Sequence, residues 1–524
     1  TFSSRGLGDV YKRQLFSLVK SMTKQEKIYF KRHMKFWGDK KQQSLQLFDL
    51  MDGMKEFDEK LLKQKLSKLP FYKRINRVRF DLNREILASL TNSFTDADEI
   101  EKLRYRLNDE LKQVGILKAK RLYDQAAKIL NYIKKEAAEV PLYDIQFAAL
   151  ELEKAMLRDG GKDKFVGQMQ AVNRERHRVF EVGKNVLEYD DLRDELNLQF
   201  MTIGPESDEF SQLLHEVEKH PLLQSAESAL SSRTKAVYYE LKGMTLWLAS
   251  KHKKAMEEFG NFKEFAEQSN WAPFDTKLNA YVNYLKACQR LFRIKEGNET
   301  IEAIKLLKPF NDNQRALSRG KTELSVLTYF NKTMQFERSL EFVQYQLVVE
   351  AFEKIPDMIK VFICHHHALL HFVLENYDKT IEWHNRQLDL KFNEMTIQTI
   401  GLTKLLTTLA HIELGNFDLA ESMIRSLLRK LPNKGKDLHC WATLAARYLQ
   451  KQPPSGKATI EFMKELRSQL PLAALRDSHS DEAGNFFPAW VESKIQQKSV
   501  KEILEMVREK RIAYIASQPD FERS

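Results

Sequence analysis

The chain has 524 residues, 43% hydrophobic and 30% charged, with 13 prolines and 19 glycines, a composition that excludes collagen-like and low-complexity chains and favours helices. No apolar run approaches the roughly eighteen residues needed to cross a bilayer, and Cys288, Cys364 and Cys440 are too few and too scattered for a disulfide framework, so a reducing, cytoplasmic setting is expected. The net charge of +11 is localised: residues 15–95 hold 18 basic and 9 acidic side chains, whereas residues 96–524 hold 63 of each, the asymmetry of an anion-binding module attached to a neutral body.

In chain order, Ser4–Gln14 (SRGLGDVYKRQ) sets two glycines before a Lys-Arg pair. No apolar strand precedes them, so a phosphate-binding loop is not supported. The segment back-translates codon for codon into the end of a tagmentation adaptor used in DNA sequencing libraries. Residues 1–14 are therefore read as foreign, extended and unpacked, with the native chain beginning near Leu15.

Residues 15–95 read as a basic helical module. MTKQEKIYFKRHMKFW opens with a capping box, Thr23 and Glu26. On that helix Lys24, Lys27, Lys31 and Lys35 form one stripe, with Tyr29, Phe30, Phe36 and Trp37 on the other side. A second helix sets Lys73, Arg77 and Arg84 opposite Ile75, Val78, Leu82 and Ile86. Both basic faces suit phosphates or an acidic partner; a solvated face over an ordinary core is the plainer alternative.

From about 100 to 450 the apolar residues recur at three and four, the period of amphipathic helices. HFVLENYDKTIEW from His371 and HIELGNFDLAESM from His411 share H-x-x-L-x-N-[YF]-D at a separation of 40 residues, and degenerate copies start at Leu117, Leu246 and Phe330. Each copy places a small residue, Ala126, Ala255, Ser339, Thr380 or Ala420, three positions after Tyr123, His252, Phe336, Tyr377 or Phe417 and four before Leu130, Phe259, Val343, His384 or Ile424. Read as multiples, the anchor spacings give a period near 42. The array resembles tetratricopeptide repeats, with Gly243 and Ala368 as the small contacts on first helices and Pro432 as the terminal proline; its period exceeds the roughly 34 residues of that family.

Within the array, residues 159–211 (DGGKDK, EYDDLRDE, GPESDEF) read as an irregular acidic stretch. HEVEKH, His215–His220, has one residue too many for a zinc-protease motif, which leaves its imidazoles about 140 degrees apart on a helix. CHHHALLH gathers soft and imidazole ligands: Cys364, His367 and His371 fall within about 60 degrees of one another on a helix. The repeat register turns these three toward the second helix of their own pair, with His411 at the matching place one repeat on, so they are read as packed and metal-free, and His365 and His366 as pointing elsewhere. KQPPSGK ends the array, RDSHSDEAGNF is a linker, and one last helix from about Val491 to Ile515 is expected to cap it.

The expected fold is all-α: a basic N-terminal module (15–95), a tetratricopeptide-like α-solenoid of about seven to nine antiparallel helix pairs (96–450), and a C-terminal linker and helical cap (451–524). The resemblance implies a non-catalytic scaffold that binds a peptide or protein segment on its concave surface, with no metal or cofactor. The alternative from another class is a nucleic-acid-binding regulator that uses the basic module, with the solenoid as its partner-sensing domain; the expectation for residues 15–95 is only weak, non-specific binding to duplex DNA.

Overall fold

In the computed structural model the described residues are 4–36, 42–67, 69–93, 99–159, 165–202, 208–269, 272–308, 312–346, 352, 355–391, 397–430, 436–451, 457–470 and 486–517. They form 24 α-helices and, among the described residues, no strand. The chain divides into two compact units, residues 1–135 and 136–524.

The first unit contains α1 (Ser4–Ser21), α2 (Lys24–Phe36), α3 (Gln42–Asp52), α4 (Glu59–Ser67), α5 (Ile75–Ser93), α6 (Glu99–Ala119) and most of α7 (Tyr123–Glu139). Its core joins Leu15, Val19, Phe30, Leu47, Phe48, Leu62, Val78, Leu82 and Ile86. The expected capping box starts α2: the Thr23 amide donates to Glu26 Oε2 at 2.7 Å and the Glu26 amide to Thr23 Oγ1 at 3.2 Å. Residues 4–14 are not extended: they are the first turns of α1. Leu15, Phe16 and Val19 are buried and anchor that helix in the core, and beyond an anchored turn each further residue gains one hydrogen bond for each residue fixed.

The second unit begins with the end of α7 and α8 (Tyr143–Asp159). Where an irregular acidic stretch was expected, Phe165–Thr202 is one helix of 38 residues, α9. Val172, Val179, Val182, Val186, Tyr189, Leu192 and Leu196 are buried along it, a helical seam that runs straight through EYDDLRDE and leaves the carboxylates on other faces. Residues 203–207 of GPESDEF lie outside the described residues, and α10 (Asp208–Lys219) follows.

Helices α11 (Ser232–Leu248), α12 (His252–Gln268), α13 (Phe274–Arg290), α14 (Ile294–Leu306), α15 (Asp312–Lys332), α16 (Phe336–Gln346), α17 (Asp357–Val373), α18 (Tyr377–Leu388), α19 (Ile397–Glu413) and α20 (Phe417–Lys430) pack as neighbouring pairs. One turn joins the two members of each pair. A residue with φ between 55° and 77° stands at Ser250, Phe292, Met334, Glu375 and Gly415, successive separations of 42, 42, 41 and 40 residues. The following amide bonds to the carbonyl five residues back: Lys251 to Leu246, Arg293 to Cys288, Gln335 to Phe330, Asn376 to His371 and Asn416 to His411, each 2.8 Å. These are the bonds of a Schellman stop, which satisfies the last carbonyls of a helix by one left-handed residue. Arg121 between α6 and α7 repeats it, with φ 60° and Leu122 bonded to Leu117 at 2.9 Å.

Five residues beyond each left-handed position stands a fully buried small anchor: Ala126, Ala255, Ser339, Thr380 and Ala420 are each 0% exposed. Thr380 Oγ1 donates to the Ala368 carbonyl at 3.4 Å, across the expected close contact. Counting five from Phe292 reaches Gly297, the anchor of a pair the sequence motif skips. Ile294 replaces the aromatic residue there, and Ile301, 1% exposed, holds the position four beyond. Gly243 also behaves as expected: a Cβ on it would meet the Phe259 ring at 2.5 Å. Phe417 does not, being 36% exposed. The equivalent Tyr377 sits edge-on to Phe372 at 5.8 Å; one repeat later that neighbour is the aliphatic Ile412.

The C-terminal region contains α21 (Lys436–Lys451), α22 (Lys457–Ser468), α23 (Phe486–Gln496) and α24 (Val500–Ser517). Pro432, residues 452–456 and the linker at 471–485 lie outside the described residues. The single expected last helix is two, broken at Gln497 with φ 54° and restarted by a Ser499–Glu502 capping box, with amide bonds of 2.8 and 3.2 Å. α23 packs on α22 and meets α21 through Phe487 against Trp441 and Trp490 against Tyr448. α24 does more than cap. Lys501 pairs with Glu337 at the start of α16, and the Arg511 guanidinium lies 4.3 Å from the Phe292 ring centre, so this helix crosses back over turns of earlier pairs.

Candidate functional site

The basic face of α2 is partly spent inside the protein. Lys27 Nζ pairs with Asp52 Oδ1 and Lys31 Nζ with Asp49 Oδ1, both at 2.8 Å. Lys31 also lies 5.4 Å from the Phe48 ring centre, and Lys20 Nζ donates to the Asp52 carbonyl at 2.6 Å. These lysines fasten α1 and α2 to α3, leaving Lys24 and Lys35 exposed. Asp49 and Asp52 are what the sequence reading missed; their i,i+3 spacing, beside the buried Leu47, Phe48 and Met51, was the available signal. Phe30 is buried as expected, but Tyr29 is 40% exposed and stacks on His33 at 6.4 Å. The side chains of Phe36 and Trp37 lie outside the described residues.

On α5 Val78, Leu82 and Ile86 are buried and Ile75 half-buried, while Arg77 and Arg84 are open to solvent, as expected; Lys73, also exposed, lies before the helix in a 3-10 turn, Tyr72–Arg74. Arg77 and Arg84 each stand 3.8 Å from Asp81, a loose exposed contact worth little.

The histidines of α17 form a different constellation. Cys364, His367 and His371 are buried as expected, but so are His365 and His366, each 1% exposed. The correction has a topological cause: α17 packs against α15, α18 and α19, so it has no solvent face in this stretch. The three consecutive rings find partners on α15, α18 and α19. His365 Nδ1 lies 2.9 Å from Thr403 Oγ1 of α19. Thr403 spends its own proton on the Thr399 carbonyl, so it accepts from the imidazole. His366 Nε2 meets Thr328 Oγ1 of α15 at 2.8 Å. His367 Nε2 donates to Glu323 Oε1 of α15 at 3.0 Å while its ring stacks on Trp383 of α18 at 3.9 Å.

Burial disfavours the charged form of three histidines. It pushes His367 below the ordinary imidazole range in spite of Glu323, and lowers His371 and, from α18, His384 to about 4 each. The Cys364 thiol is pushed up to about 12 by burial, so it is protonated and unreactive at neutral pH. Among the described residues no three His, Cys, Asp or Glu side chains converge as a metal site. His215 is on α10, whereas His220 lies beyond its end and accepts from the Leu222 amide at 3.3 Å.

A third feature was not legible. Burial pushes the Glu240 carboxyl of α11 up and the Lys286 ammonium of α13 down; each feels the other's charge, and both feel Lys321 of α15. Lys286 nevertheless keeps solvent access. Glu240, Lys286 and Lys321 stand on successive first helices of the pairs, α11, α13 and α15. Arg233 and Arg193 pair with Asp190 at 3.1 and 2.8 Å, and Arg193 and Asp190 also act on Glu240.

No family model matches the chain, and no curated protein matches it.

Proposed function

We propose that the protein is a non-catalytic interaction scaffold: an α-solenoid of antiparallel helix pairs whose concave side takes a peptide or protein segment. The charge group of Glu240, Lys286 and Lys321 supports this reading most directly, because charged side chains from three successive first helices lie near enough to act on one another. A small rotation between stacked pairs generates such a surface as a matter of geometry. The repeated turn, with its 40- to 42-residue spacing, supports the stacking. The test is affinity capture with the full chain from its native host, comparing wild type with Lys286→Glu and Lys321→Glu. A protein retained by wild type and lost from both variants is the expected result. Capture of nucleic acid instead, insensitive to both changes, favours the regulator that uses the basic N-terminal module.

A further inference from the structure

The outward face of α5 carries a seam of its own. Arg77, Phe80, Arg84, Leu87 and Thr91 follow one another at three and four residues, the 3.5-residue period by which one helix meets another. The face opposite them is the buried one, Val78, Leu82 and Ile86. The seam itself is open: Phe80 is 60% and Leu87 50% exposed, and the side chains of Arg77 and Arg84 are 82% and 66% exposed. At its far end Thr91 joins Tyr105 and Arg106 of α6 in lining an open cleft of about 390 Å³. The stripe therefore runs about 21 Å along α5, at 1.5 Å per residue, and ends in a cavity able to take a side chain.

We infer that this seam docks an acidic amphipathic helix of a partner protein, one with an apolar ridge flanked by carboxylates. The ridge covers Phe80 and Leu87, and the carboxylates meet Arg77 and Arg84, about 10.5 Å apart along the axis. Charge decides between occupants. A second copy of this chain would set arginine against arginine in a parallel pairing and Arg84 against Arg84 in an antiparallel one, and like charges facing each other oppose association. A nucleic-acid duplex suits the stripe poorly: its sugar-phosphate surface has no apolar ridge to cover the exposed Phe80 and Leu87. An acidic helix places its charge at the flanks and its apolar side chains in the middle.

The test uses the full chain and a labelled synthetic helix of about 21 residues, with leucine at the first and fourth positions of each heptad and glutamate at the flanking ones. Fluorescence anisotropy should give saturable binding at about 150 mM salt, weakened about tenfold or more by Phe80→Ser and by the Arg77→Glu, Arg84→Glu double change. The same peptide with lysine for glutamate should not bind. Because all three residues are exposed, melting temperatures should match wild type, separating a lost surface from a lost fold. Equal affinity for wild type and variants overturns the proposal, as does no saturable binding up to about 1 mM. Tighter binding of a duplex DNA probe through the same three residues overturns it too, and assigns the surface to nucleic acid.

Discussion

The ring of Tyr329 occupies the space that Gly297 leaves: a Cβ on that glycine would stand 2.4 Å from the ring carbons and hydroxyl. Tyr329 is fully buried and its hydroxyl donates to the Ile294 carbonyl at 3.0 Å, so the ring has no free direction in which to yield. Gly297→Ala should therefore cost about 1–3 kcal/mol, the range for overpacking a core. Gly260→Ala is the control. Its nearest foreign atom would be Tyr284 Cε2 at 3.6 Å, an ordinary contact, and alanine gains up to about 1 kcal/mol over glycine inside a helix. Urea unfolding of the two variants should move in opposite directions; a Gly297→Ala chain as stable as wild type would show that this pair does not cross as closely as described.

The repeated turn makes a second prediction. A non-glycine residue in the left-handed region is strained by roughly 1–2 kcal/mol, and Glu375 bears that strain at φ 60° with an exposed side chain. Glu375→Gly should stabilise the chain by about 1 kcal/mol, and Gly415→Ala, at φ 77°, should destabilise it by a similar amount. Phe292→Gly should lose stability in spite of its φ of 56°, because the Phe292 ring is buried and sits under Arg511. Thermal melts of the three variants decide; the same sign for Glu375→Gly and Phe292→Gly would refute the argument.

Much of the array was legible because the stop turn imposes local chemistry. The small anchor and the residue four beyond it follow from close helix crossing, and they recur in the sequence at fixed offsets. The Gly297 pair escaped notice because its aromatic residue is replaced by Ile294, so smallness alone marked it. The run through α9 was misread because charge was weighed above the spacing of Val179, Val182, Val186 and Tyr189. The partners of the histidines were beyond reach: Glu323 and Thr403 lie 44 and 38 residues from His367 and His365, and only packing brings them together. The charge group at Lys286 has the same cause, since each contributing helix supplies a single charge.

The buried imidazoles fix a pH dependence. His371 and His384 titrate near 4 in the folded chain and near 6.5 when unfolded, so between these values the unfolded chain binds more protons. Stability is then fully present above about pH 6.5 and is lost as pH falls toward 4. For His384 alone the loss is on the order of 3 kcal/mol, and His367 and His411, also lowered by burial, add to it with the same sign. Melting temperature should fall steeply between pH 6.5 and 4.5, before ordinary carboxylates titrate. His384→Gln should flatten the profile even if it lowers stability at neutral pH. A melting temperature constant across that window would mean that these rings reach solvent.

The accounting of the N-terminal cations predicts a limited response to polyanions. Of seven basic residues expected on the two faces, Lys27 and Lys31 are engaged with Asp49 and Asp52, leaving Lys24, Lys35, Lys73, Arg77 and Arg84 for phosphates. Each phosphate contact contributes about −0.9 to the slope of log affinity against log salt on duplex DNA. Five contacts give a slope no steeper than about −4.5, with micromolar or weaker affinity near physiological salt and no preference for sequence. Lys27→Met with Lys31→Met should leave that slope unchanged and lower stability by at most about 1 kcal/mol, since both ion pairs are partly exposed. Lys24→Ala with Lys35→Ala should reduce the slope by nearly 2 if both reach phosphates. Nanomolar binding to one duplex sequence that survives about 150 mM salt would require base contacts, and it would reverse the order of the two functional readings.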